Sequence, residues 1–173
     1  MEALQKLLIL NPVYYVTRDI ERALGLDPQT KGYFIISNYT QYGKSLAKKH
    51  KNVFLIKEKM QLDTWKLLNH PLTKQIFLKT KTHANILVFK NTTQIEKICQ
   101  KNNWHLLNPP AKLANQIEEK ISQIKWLGPL KKYLPKYQVK KCRDISWTGK
   151  QFVLQFNRSH TGSGTILVKT KKQ

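Results

Sequence analysis

The sequence predicts an α/β chain in two parts. A parallel-sheet domain covers residues 1–108, and a partial α+β segment, one helix followed by antiparallel strands, covers residues 109–173. Three observations carry this expectation. Apolar runs of strand length alternate with helical patterns through the first two-thirds, and strands that are apolar throughout belong to parallel sheets covered on both faces. The composition changes at Asn108-Pro109-Pro110. Near the C-terminus two apolar runs flank a loop of small residues, which is the pattern of a hairpin.

The first thirty residues are the least legible. The apolar stretch Leu7–Leu10 is cut by Asn11-Pro12, and Arg18 to Leu26 reads as a helix ending at Gly25 or Asp27-Pro28. Tyr33-Phe34-Ile35-Ile36-Ser37, entered through Gly32, reads as a buried strand, Lys44 to His50 as a short helix and Val53–Ile56 as the next strand. Leu62 to Leu68, opened by Asp63, is helical, and Ile76-Phe77-Leu78 reads as a short edge strand. Asn85–Phe89 is a further strand. Thr92 to Lys101 follows as an amphipathic helix, with Ile95, Ile98 and Cys99 on one side and a hydroxyl cap at Thr92 or Thr93. Trp104–Leu107 returns to the sheet. Beyond the boundary, Leu113, Ile117, Ile121 and Ile124 recur at helical spacing and predict one helix from Ala111 to Leu127, stopped by Gly128-Pro129. Strands are expected at Tyr137–Val139, Phe152–Phe156 and Thr165–Lys169, the last two pairing antiparallel.

Composition narrows the function classes. At 173 residues with 40% apolar content and four tryptophans, the chain has the makings of a folded core rather than a disordered polymer. Leu7–Leu10 is too short for a secretory core or a membrane span, so a soluble cytoplasmic protein with no membrane partner is expected. Cys99 and Cys142 form no CxxC and no disulfide framework, which fits reduced thiols. The net charge of +21 raises nucleic acid as a partner. Against it, only Arg18, Arg22, Arg143 and Arg158 are arginines, whereas base reading favours arginine's rigid fork. The excess is also spread evenly, with 17 basic against 7 acidic residues up to 108 and 14 against 3 after it. Lysine excess alongside many isoleucines and asparagines is also the pattern expected of A- and T-rich coding, so nucleic acid is disfavoured as the purpose of the charge.

The strongest chemical signal lies in the hairpin. Between Phe152-Val153-Leu154-Gln155-Phe156 and Ile166-Leu167-Val168-Lys169 runs Asn157-Arg158-Ser159-His160-Thr161-Gly162-Ser163-Gly164-Thr165. This loop is longer than the usual two to five residues of a hairpin connection. Its small residues let successive backbone N–H groups aim at one point, as in phosphate-holding loops, while Arg158 and His160 add donors. A glycine fingerprint for dinucleotides is missing, since Ser37-Asn38-Tyr39-Thr40 stands after the strand at 33–37.

Taken in order, these features resemble the ATP-grasp superfamily. That family places a Rossmann-like domain first, then a linker, a helix with an ATP-binding lysine, and an antiparallel sheet whose glycine-rich loop covers the triphosphate. Asn108–Lys120 looks like the linker and helix, and Phe152–Val168 like the strand-loop-strand. The resemblance implies that Lys120 contacts ATP. It also implies that Ser159, His160, Thr161, Gly162, Ser163 and Gly164 form a flap whose backbone N–H groups and Ser159, Thr161 and Ser163 hydroxyls face the β- and γ-phosphates, with Arg158 and His160 adding donors. Gln155 stands where the family usually has a second lysine, a departure that keeps a hydrogen-bond donor and loses a charge.

The resemblance further implies an ATP-dependent carboxylate–amine or carboxylate–thiol ligase acting on an unidentified carboxylate through an acyl phosphate. The family's Mg²⁺ ligands follow the glycine loop, and here only Thr170–Gln173 follow the last strand. The expectation is therefore an N-terminal piece whose Mg²⁺ ligands lie beyond this chain and which does not ligate alone. No zinc-type motif or activated nucleophile is present in the sequence, so no catalytic or metal-binding residue is assigned. Two other readings compete: a basic nucleic-acid-binding module, and a catalytically degenerate ATP-grasp scaffold.

Overall fold

A computed structural model describes residues 2–79, 84–159 and 163–172. The chain divides into two compact units, Met1–Lys112 and Leu113–Gln173. The first is an α/β unit built on a five-stranded, all-parallel sheet in the order β3-β2-β1-β4-β5, a Rossmann-like arrangement. Its strands are β1 (Val13–Thr17), β2 (Tyr33–Asn38), β3 (Val53–Ile56), β4 (Asn85–Val88) and β5 (His105–Leu106). Its helices are α1 (Glu2–Leu10), α2 (Gln41–Lys49), α3 (Thr64–Asn69), α4 (Pro71–Leu78) and α5 (Thr93–Lys101).

Alternation along each strand sends side chains to two separate cores. Tyr14 and Val16 of β1, Ile36 of β2 and Ile86 and Val88 of β4 pack with Leu67, Leu68, Ile76, Phe77, Ile95, Ile98 and Cys99 from α3, α4 and α5. On the other face Tyr33 and Ile35 of β2 and Val53 of β3 pack with Leu8 of α1 and with Ile20 and Ala23. Both faces are covered, which is why β1 to β4 carry apolar residues pointing to both sides, with polar residues confined to strand ends such as Thr17, Ser37, Asn38 and Asn85. Aromatic rings reinforce the first core: Tyr14 stacks on Phe34 at 4.9 Å, and Phe77 meets Trp104 edge-on at 4.7 Å.

Several expectations need correction. The central strand, β1, was not among the expected elements; Val13 pairs with both Tyr33 and Asn85, so β1 joins the halves of the sheet. The helix expected over Arg18–Leu26 is a single 3₁₀ turn at Ile20–Ala23, bounded by extended backbone at Asp19 (φ −108°, ψ 115°) and by Leu24, which departs from helical geometry (φ −86°, ψ 14°). Gly32 has φ of +80°, and a Cβ there would fall 2.0 Å from the Leu8 carbonyl oxygen, so only glycine lets the chain pass α1 into β2. Ile76-Phe77-Leu78 is not an edge strand but the end of α4. Pro71 opens that helix, and Thr73, Ile76 and Phe77 are buried at spacings of three and four.

The other helix starts follow local rules. The Thr40 hydroxyl accepts from the Gly43 N–H at 2.9 Å to cap α2, and the Thr92 hydroxyl accepts from the Ile95 N–H at 3.3 Å to cap α5. At the carboxyl edge of the sheet, buried Asn38 donates to the Arg18 and Leu62 carbonyls and accepts from the Leu62 N–H, tying the loops after β1 and β3 together. Glu96 accepts from Ala111 N–H at 2.6 Å and from Asn91, which also donates to the Pro109 carbonyl. The linker is thereby fastened to this unit.

The second unit holds α7 (Lys120–Trp126), a 3₁₀ turn at Gly128–Tyr133, another at Cys142–Asp144, and the antiparallel pair β6 (Phe152–Gln155) and β7 (Thr165–Val168). Its first helical residues belong to α6 (Ala111–Glu118). The hairpin register pairs Phe152 with Val168 and Gln155 with Thr165, as the strand-loop-strand pattern requires. Two expectations fail here. The single helix from Ala111 to Leu127 is broken at Glu119, and Tyr137–Val139 forms no strand. Among the described hydrophobic residues after Lys112, Val168 alone is buried, while Leu113, Ile117, Ile121, Trp126, Leu130, Phe156, Ile166 and Leu167 are exposed. Among the described residues no helix is long and apolar enough to cross a membrane.

Candidate functional site

The break at Glu119 organises the site. Glu119 is extended (φ −72°, ψ 120°), which ends α6 and restarts the helix as α7 at Lys120. The carbonyls at the end of α6 are satisfied from the following turn. Ser122 donates to the Gln116 carbonyl, and the Gln123 side chain donates to the Ile117 carbonyl at 2.6 Å. The start of α7 is capped from the hairpin loop. The Asn157 backbone carbonyl accepts from the Lys120 N–H at 3.2 Å, and its side-chain oxygen accepts from the Ile121 N–H at 2.9 Å. A helix normally finds this cap in its own preceding residue; here it comes from far along the sequence.

Lys120 and the hairpin loop meet directly. The Lys120 ammonium donates to Ser159 Oγ at 2.8 Å, the Phe156 carbonyl at 3.1 Å and the Ser159 carbonyl at 3.4 Å. An ammonium has three donors, and this geometry uses all of them. The three acceptors are neutral, so the bonds hold the amine in place without cancelling its charge.

Arg158 differs. Its guanidinium donates through Nε to Glu119 Oε1 at 2.8 Å, with Nη2 on the same oxygen, so its charge is matched by a carboxylate. Arg158 therefore serves to clamp the loop onto the break, and Lys120 is the cation of this cluster still suited to an anion.

Gly164 is buried at the neck of the loop, where its carbonyl accepts from the Phe156 N–H at 2.9 Å. A Cβ at Gly164 would lie 2.2 Å from the Ser159 Cβ and 2.4 Å from its Oγ, so glycine is what allows Ser159 to reach Lys120. Ser163 is exposed beside it. Gln155 sits on the exposed face of β6 opposite Thr165. His160, Thr161 and Gly162 lie outside the described residues.

Two residues that complete the arrangement, Glu119 and Asn157, were not among the candidates. An asparagine directly after a strand, before a small-residue loop, is a cap-type residue and was the available signal for one of them.

The carboxyl edge of the parallel sheet is the other place where such folds take ligands, at the switch point between β1 and β4. There Asp19 receives both Arg18 and Arg22 at 3.2 Å, and Arg22 lies over the Phe89 ring at 4.0 Å. That cluster is balanced internally and offers less to an anion than Lys120 does. Among the described residues no group of three histidine, cysteine, aspartate or glutamate side chains is placed to hold a metal ion. Comparison of the chain with protein-family models, with curated proteins and with solved structures gave no match in any of the three.

Proposed function

We propose that this chain carries the phosphate-gripping part of an ATP-grasp site and binds ATP through Lys120 and the loop from Arg158 to Gly164. The supporting observation is the 2.8 Å bond between the Lys120 ammonium and Ser159 Oγ. A helix lysine and a glycine-rich hairpin loop, 39 residues apart in sequence, converge on one point with an uncancelled positive charge. On binding, a phosphate oxygen takes over the acceptor places now filled by the Phe156 and Ser159 carbonyls. The ammonium then holds phosphate and loop together, and loop N–H groups add further donors. Gln155 supplies a neutral donor near the end of β6.

The activity this serves is ATP-dependent ligation of a carboxylate to an amine or thiol in the cytoplasm. A carboxylate oxygen attacks the γ-phosphorus and ADP leaves. The amine or thiol then attacks the acyl carbon and displaces phosphate. Any Mg²⁺ that assists would neutralise charge on the phosphates, and no step is assigned to a residue of this chain acting through it.

Equilibrium dialysis with labelled ATP tests the reading. The intact chain should bind ATP, Lys120→Met should weaken binding by about 10-fold or more for loss of a charge-assisted contact, and Gln155→Lys should strengthen it. Absent ATP binding, or an affinity that Lys120→Met leaves unchanged, refutes it.

A further inference from the structure

We propose that the stretch from Lys125 to Arg143 is a binding strip for single-stranded nucleic acid, with lysines tracking the phosphate backbone and Trp126, Tyr133 and Tyr137 stacking on bases. The proposal goes beyond the nucleotide site and does not depend on it. Its first support is charge. Seven basic residues and no acidic residue lie from Lys125 to Arg143, and Asp144 is the sole acidic residue after Glu119. Its second is exposure of rings that folding ordinarily hides. Trp126 is 66% exposed, Tyr133 74% and Tyr137 50%. Lys125, Lys131, Lys132, Lys136, Lys140 and Lys141 interleave with them and are all exposed. The Lys132 ammonium lies 5.0 Å above the Tyr133 ring, so charge and π-face are offered together.

The backbone suits the same role. After the 3₁₀ turn at Gly128–Tyr133 the chain runs through Tyr137–Val139 without joining a sheet, so the rings there are not committed to a core. The scarcity of arginine argues against reading base edges in a duplex groove. It does not argue against backbone tracking, where lysine charge and sequence-tolerant stacking are sufficient. The even spread of charge between the two parts of the chain likewise describes a whole-chain average and not this acid-free run.

Other occupants fit less well. A second copy would bring a net charge of +21 against +21. A bilayer wants one continuous apolar face, and here Lys131-Lys132, Lys136 and Lys140-Lys141 interrupt it. An acidic peptide would match the lysines and leave the rings unused.

Any polyanion will be attracted to so basic a chain, so the test must separate stacking from charge. The intact chain is titrated with a fluorescent oligouridylate of about 20 nucleotides, a duplex of equal length, heparin, and phosphatidylserine vesicles, over a range of salt. Tight binding of the single strand is expected, with a quenching of tryptophan fluorescence that Trp126→Leu removes. The slope of log K against log salt should shrink by about 0.7 for each of Lys131, Lys132 and Lys136 changed to Gln. Tyr133→Leu and Tyr137→Leu should each weaken oligouridylate binding by about fivefold or more, with heparin affinity and the circular dichroism spectrum unchanged. The proposal is overturned if the ring variants bind the oligomer as tightly as the parent. It is equally overturned if duplex or vesicles outcompete the single strand, or if no binding is seen at about 50 mM salt.

Discussion

Changing Gly164 to alanine is the most direct probe of the loop-and-lysine cluster. The new methyl carbon would lie 2.2 Å from the Ser159 Cβ and 2.4 Å from its hydroxyl oxygen, against an ordinary contact of 3.4 Å or more. Gly164 is not among the glycines with positive φ, so the cost is steric and not one of backbone conformation. Ser159 cannot yield cheaply, because its hydroxyl and carbonyl both accept from the Lys120 ammonium. Overpacking of this kind costs about 1–3 kcal/mol, and a clash this close against an anchored neighbour belongs near about 2 kcal/mol. The Phe156 N–H, bonded to the Gly164 carbonyl at 2.9 Å, reports on the neck of the loop. Its hydrogen exchange, followed by NMR, should speed up roughly 30-fold, the equivalent of that energy. Two companions sharpen the test. Ser159→Gly added to Gly164→Ala removes both close contacts, leaves only the Phe156 Cβ at 3.2 Å, and should restore most of the protection. Ser159→Ala keeps the 2.2 Å contact and should restore none. Unchanged exchange in Gly164→Ala, or equal rescue by the two serine variants, would refute the packing account.

Asn38→Ala strips two carbonyls and one N–H of a buried partner at once and should destabilise the parallel-sheet unit by about 3 kcal/mol; urea unfolding should show a lower midpoint. The two thiols should separate kinetically. A thiol reagent at about pH 8 should label exposed Cys142 at once and buried Cys99 only after denaturation, because burial pushes the Cys99 thiol up to about 11. The same shift sets a sign. The unfolded chain releases that proton from about pH 9, so the stability tied to the protonated thiol is intact below 9 and is lost as the pH rises through 11. Burial raises Tyr14 and Tyr33 as well and adds to the alkaline loss, so Cys99→Val should reduce it without abolishing it.

What was legible in the sequence followed the range of the interactions. β2, β3, β4, α5 and the β6–β7 hairpin are written in contiguous runs whose apolar period and caps act locally. β1 is hidden because Asn11-Pro12 reads as a breaker of the leucine run before it, and only five residues, Val13–Thr17, separate that breaker from the next turn. The end of α4 was misread because three apolar residues in a row carry no period; the buried Thr73 that completes the helical spacing is polar. The break at Glu119 lay out of reach for a different reason. An unbroken stripe through Leu113, Ile117, Ile121 and Ile124 argues for continuity, and the interruption is compensated by Asn157 and Arg158 from the hairpin. The meeting of Lys120 with Phe156 and Ser159 is not legible in sequence at all, since no local rule links residues so distant in the chain.

The cap that Asn157 places on α7 has a consequence for assembly. A seven-residue helix is far shorter than those that persist alone in water. Its first turn gains partners only when the strand before Asn157 has delivered the loop to it. Helix and hairpin therefore stabilise one another through the Asn157 cap, and loss of either costs the other. A fault anywhere in the loop should register as melted helix between Lys120 and Trp126, so this short helix works as a gauge of whether the hairpin has closed.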